Sequence, residues 1–132
     1  MAVVILAAAL LALGLVPLAG INRSQFIIMK NRRNWQQKVQ IHHIIPRQFR
    51  KHRALTATDF DIDDGENLMF LPTPLGRATL RTCRPNHDGG HRRYNQYVGK
   101  KLDHHVSGSA ELHRLVCTLR QSLRHEPDVP WK

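Results

Sequence analysis

Apolar residues cluster or alternate at several places along the chain, and their spacing predicts the elements. KVQIHHII (38–45) alternates in part and is β-rich at its centre, predicting a strand that ends near Pro46. RQFRKHRAL (47–55) is short and suits one or two turns of helix. NLMFLP (67–72) predicts a second short strand, stopped by Pro72 and Pro74. HRRYNQYVGKKLD (91–103) sets Tyr94, Tyr97, Val98 and Leu102 at helical spacing, with Asp88 or Asn86 available as N-cap. SAELHRLVCTLRQSLRH (109–125) puts Leu112, Leu115, Val116, Leu119 and Leu123 on one face, the clearest amphipathic helix present. TATDFDIDDGEN (56–67) and RPNHDGG (84–90) are rich in turn residues and read as loops.

At 132 residues the chain is long enough for one domain. Its parts are an apolar leader (1–21), a basic connector (22–37) with Trp35 as an anchor into the core, a central unit (38–103), and an amphipathic helix with its tail (104–132). The leader's first twenty residues, MAVVILAAALLALGLVPLAG, carry no charge. Three readings fit it: a signal peptide, a retained membrane anchor, or residues upstream of a true start at Met29. The first two place the protein outside the cell or at a membrane through residues 1–20; the third leaves it inside.

Charge adds a partner class. Twenty Lys and Arg face ten Asp and Glu, for a formal +10, and no acidic residue precedes Asp59. Such a surface attracts polyanions, nucleic acid foremost, although a solvated basic face or a patch for anionic lipid has the same composition. The acidic run Asp59, Asp61, Asp63, Asp64 and Glu66 lacks the spacing of a calcium loop and is read as turn-formers and partners for basic side chains. Cys83 and Cys117 lack metal-site spacing; they suit one disulfide in a secreted chain or two buried thiols otherwise.

Histidine carries the chemistry. Successive strand side chains point to opposite faces, so His42 and His43 cannot share an environment. His87 and His91, four apart in HDGGH, can converge where a helix begins. With one member of the 42/43 pair they make three nitrogen ligands, the usual protein share of an open catalytic metal site. The other member stays free as a general base near neutral pH. His104 and His105, and likewise His52, His113 and His125, read as surface residues.

The ordered set HHIIP, GENLMFLP and HDGGHRRYNQYV resembles the HNH endonuclease superfamily and in particular its AHH branch, with Ile41 where the branch's name leads one to expect alanine. The resemblance covers about residues 38–103 and implies an α+β fold built on a small ββα-metal (His-Me finger) core with flanking helices. It implies His42, His87 and His91 as ligands of one divalent ion, His43 as general base, and Asn67 as the residue that braces the loop and orients that base. Zinc, nickel, cobalt or manganese suit the nitrogens, and magnesium serves turnover in many members. Tyr94 is expected to pack in the core and Asn95 to hydrogen-bond back to the loop. Arg84, Arg92 and Arg93 would hold phosphate, with Arg47 and Lys51 in the basic run adding affinity.

The implied activity is endonucleolytic hydrolysis of DNA, or of RNA, with little sequence preference. A toxin role would call for an inhibitor or immunity protein. The competing class is a non-catalytic basic protein, bound to nucleic acid or membrane, that keeps the finger as a structural module.

Overall fold

The computed structural model describes residues 20–125 and 128–132. Residues 1–19, and with them the three readings of the leader, lie outside the described residues. Among the described residues no helix is long and apolar enough to cross a membrane.

The described chain is a small α+β unit. Helix α1 (Arg23–Arg32) occupies much of the connector. Its start is fixed by a capping box: Asn22 Oδ1 accepts from Gln25 N–H at 3.2 Å, and Gln25 Oε1 accepts from Asn22 N–H at 2.8 Å. Phe26 is its buried residue and packs on Phe70, 5.0 Å between ring centroids. Trp35 is half-buried and meets Phe70 edge-on at 5.9 Å, so it lies at the core's rim.

Strands β1 (Val39–His43) and β2 (Leu68–Pro72) form a two-stranded antiparallel sheet, with His42 opposite Met69 and His43 opposite Leu68. Between them the expected 47–55 helix is broken in two: a 3-10 turn over Arg47–Phe49, then the short α2 (Arg53–Thr56). His52 causes the break, because its ring accepts from Ala54 N–H at 3.1 Å and starts α2 afresh. His52 is therefore not a plain surface residue; its other nitrogen bonds Asp103 at 2.7 Å.

After β2 comes a helix the sequence reading left out, α3 (Pro74–Leu80). Thr73 caps it through Gly76 N–H, and Pro74 fills its first position. Gly76 lies against β1 so closely that a Cβ there would sit 1.6 Å from the Lys38 carbonyl oxygen, which excludes any side chain.

Helix α4 (Arg92–His105) buries Tyr94, Val98 and Leu102 against the sheet layer and α2. Its N-cap is His91 and carries no side-chain capping bond; Asp88 and Asn86 lie too far back to serve. Helix α5 (Ser109–Arg124) buries Leu112, Val116, Leu119 and Leu123, each stabilising by about 1.5–3 kcal/mol. From α5, Arg120 reaches the carbonyls of Leu68 at 3.1 Å and Gly65 at 3.3 Å, tying the helix to the start of β2. Burial lowers the Arg120 guanidinium pKa to about 10. Cys83 and Cys117 are both free and exposed, so they are neither paired nor buried.

Candidate metal centre and catalytic histidine

The pleat of β1 separates the two histidines. His42 turns into the protein, 1% exposed, while His43 turns to the other face and keeps 11% of its side-chain exposure. On the face of His42, the ring meets Tyr94 of α4 at 5.4 Å between centroids, and Gln40, two residues earlier, reaches His87 in the loop before that helix.

On the inner face, His42 meets His87 and His91. Ring centroids lie 5.3 Å apart for His42–His87, 5.1 Å for His42–His91 and 5.2 Å for His87–His91. One nitrogen from each ring lies within 4.8 Å of the others, the spacing of donors around one ion. The acidic run forms no comparable group among the described residues.

Whether an ion fits depends on protonation, and three observations favour it. His42 Nε2 is buried with no hydrogen-bond partner, an orphaned lone pair or N–H that a protein leaves only with reason. His87 Nδ1 lies 2.5 Å from Gln40 Oε1, and His91 Nδ1 lies 2.8 Å from Asn95 Oδ1. Amide oxygens only accept, so both Nδ1 atoms carry the proton and both Nε2 atoms present lone pairs. Asn95 is held in turn by donating to Gln48 Oε1 at 3.1 Å. Burial first, and the neighbouring imidazoles second, hold His42 and His87 below the ordinary histidine pKa, keeping them neutral as ligands must be.

The depressed His42 has a consequence for stability. Its unfolded-state pKa of 6.5 lies above its folded value, so the unfolded chain takes up the proton first as pH falls. Stability is full above about pH 6.5 and drops toward the folded pKa, by up to about 1.4 kcal/mol per pH unit for His42 alone. His43 and His87 are shifted in the same direction and steepen the fall. Urea unfolding of chelator-treated protein between about pH 8 and pH 5 should show this loss; a flat profile would contradict a buried, neutral His42.

On the outer face, His43 Nε2 lies 2.8 Å from Asp63 Oδ1, and Arg50 donates to Asp63 Oδ2 at 2.9 Å. A carboxylate accepts, so Nε2 carries the proton and Nδ1 keeps its lone pair. Burial lowers the His43 pKa, partly opposed by the Asp63 bond and charge. The bond to His43 in turn keeps the Asp63 carboxyl below its ordinary range. Asp63 is delivered by the acidic loop: Asp61 Oδ1 accepts from Asp63 N–H at 2.9 Å, and Asp64 Oδ1 from Glu66 N–H at 2.8 Å.

Asn67 is fully buried, and its side-chain hydrogen bonds go to the backbone of Ile45 and Ile62. Its Oδ1 accepts from Ile45 N–H at 2.7 Å, and its Nδ2 donates to the Ile45 and Ile62 carbonyls at 3.0 and 2.9 Å. It clamps the chain just after His43 to the residue just before Asp63. Tyr94 is fully buried and donates to the Ile44 carbonyl at 2.6 Å.

The basic residues divide. Arg92 and Arg93 are exposed in the first turn of α4, and Arg47 and Lys51 are exposed too, Arg47 near enough to His43 to act on its charge. Arg84 is half-buried and donates to the Phe70 carbonyl at 2.8 Å, which gives it a structural partner instead of an open fork for phosphate.

Two residues at the centre, Gln40 behind His87 and Trp131 against the trio, had no place in the sequence reading; Asp63, read there among turn-formers and partners for basic side chains, does pair with Arg50 and lies beside His43. Gln40 had a signal, since it precedes His42 by two positions on the same strand face. For Asp63 the sequence did not single out His43 as the partner, and Trp131 gave no signal.

No curated protein and no solved structure matches the chain. One family model does, described as a nuclease family of the HNH/ENDO VII superfamily with conserved AHH, over residues 24–124. That span takes in α1 and α5 on either side of the 38–103 stretch, and Ile41 stands half-buried opposite Phe70 where alanine is expected. Matched over most of its length, this chain belongs to the AHH nucleases of the HNH/ENDO VII superfamily.

Proposed function

We propose that the protein is a metal-dependent endonuclease that hydrolyses phosphodiester bonds of DNA with little sequence preference. The single observation that carries this reading is the division of labour across β1. His42 joins a trio with an unpartnered nitrogen, and its neighbour His43 is held by a carboxylate with one lone pair free.

His42, His87 and His91 would hold one divalent ion, which when bound polarises a phosphoryl oxygen and offsets charge that grows in the transition state. His43 Nδ1 accepts the proton of the attacking water. Asp63 fixes the ring's tautomer and favours the imidazolium that forms; the His43 bond itself, with a lesser contribution from Arg50, keeps Asp63 ionised, and Arg50 holds its other oxygen in place. Arg92 and Arg93 receive the phosphate. Two cations at the positive end of a helix dipole, with no acid in the first turn, weaken α4 on its own and make sense opposite an anion. Arg47 and Lys51 extend the same surface. Their contacts are to phosphate and carry no sequence information, which is why the preference is weak.

The purified protein should relax supercoiled plasmid when supplied with divalent ions, magnesium, manganese, zinc, nickel and cobalt being compared, and should stop on addition of chelator. His91→Ala should lose both cleavage and cobalt binding. Absence of cleavage with every ion, by a folded protein that still binds plasmid, would favour the non-catalytic reading.

A further inference from the structure

The trio of imidazoles has a fourth ring over it. Trp131 lies 4.9 Å from His91, 5.3 Å from His42, 6.1 Å from His87 and 5.2 Å from Tyr94, centroid to centroid. It is tilted 32° to His91, close to stacked, and edge-on to the others. Its indole N–H donates to the Asn86 carbonyl at 3.0 Å, within the loop that supplies His87. The next residue, Lys132, pairs with Asp88 of the same loop. Val129 is buried in the core cluster and fixes the other end of the segment.

We infer that residues 128–132 form a strap that closes the histidine face, and that nucleic acid reaches the centre only when Trp131 swings out. An indole whose centroid lies 4.9–6.1 Å from all three rings covers them on one side, and on the nuclease reading that side is the one a phosphate would need. The fastenings suit release. Val129 is a core anchor, but beyond it, among the described residues, the strap is held by one hydrogen bond, one exposed ion pair and ring contacts, and a polyanion can compete for Lys132. The inference rests on the nuclease reading for its consequence, though the closed strap itself does not.

The test uses the full chain. With Trp35→Phe, Trp131 is the only tryptophan, and His43→Ala in the same chain leaves added DNA uncut. Trp131 fluorescence should be protected from acrylamide in the free protein and exposed when duplex DNA is added. In otherwise unaltered protein, Trp131→Ala and Lys132→Glu should each cut plasmid faster at low DNA concentration, by about tenfold if the open form is about a tenth of the population. Lys132→Glu is at the surface and keeps the fold even if Trp131→Ala does not. An indole equally open to acrylamide with and without DNA would overturn the strap, and so would variants that cut no faster or more slowly than the parent. If no variant cuts at all, the nuclease reading fails, and the acrylamide result still decides the strap.

Discussion

His43→Ala should lower the rate of plasmid cleavage by about 10²–10⁴-fold, the range for loss of a general base, while cobalt binding at the trio should stay near that of the parent. The two effects separate because β1 sends His43 and His42 to opposite faces, and no ligand is touched by the change. Asp63→Asn is the companion experiment. It leaves a side chain of the same shape beside Nε2 but removes the charge, so the ring loses its fixed tautomer; a loss of about 10- to 100-fold is expected. The pH profile gives the sign. Asp63 raises the His43 pKa against the lowering effect of burial. Without Asp63 the pKa falls further, and the acid limb of kcat/KM moves to lower pH as the maximum drops. A limb that moves upward, or cleavage by His43→Ala at the parent's rate, would remove His43 from the role of base.

The histidine constellation was legible because its elements are local. A strand end, a four-residue spacing and a helix start are each set by neighbours in sequence, and HHIIP, NLMFLP and HDGGH mark them. What sequence did not reveal depends on contacts across the fold. Asp63 meets His43 only because Asn67 joins the two ends of the intervening loop, twenty residues apart in sequence. Trp131 reaches His42 across most of the domain. Helix α1 hid in a stretch whose mean character is basic and whose single buried residue is Phe26, so it has no amphipathic stripe to read. Helix α3 was readable from Thr73 and Pro74, yet both prolines suggested a stop, which they also are for β2. The cysteines were misjudged because thiol burial follows packing that two isolated positions cannot report.

Asn67→Ala should cost the protein most of its stability, and with it every function at once. Alanine leaves the Ile45 N–H and the Ile45 and Ile62 carbonyls without partners in a site that admits no solvent. Each such group costs about 1–3 kcal/mol, and the sum rivals the 5–15 kcal/mol that about one domain has in hand. Asn67→Asp should not rescue it: the carboxylate still accepts from Ile45, but it sets negative oxygen against two carbonyls that need a donor. The loop carrying Asp63 would then part from the end of β1, so His43 would lose its partner before the trio loses its geometry. Metal gives a separate handle, because ligand that binds only the folded form adds about 2.7 kcal/mol at a hundred times its Kd. Zinc should therefore restore part of the unfolding midpoint of Asn67→Ala without restoring cleavage to the same degree. Were the variant to unfold at the parent's urea concentration and yet fail to cut, Asn67 would act on the reaction directly, and the clamp between Ile45 and Ile62 would not be its purpose.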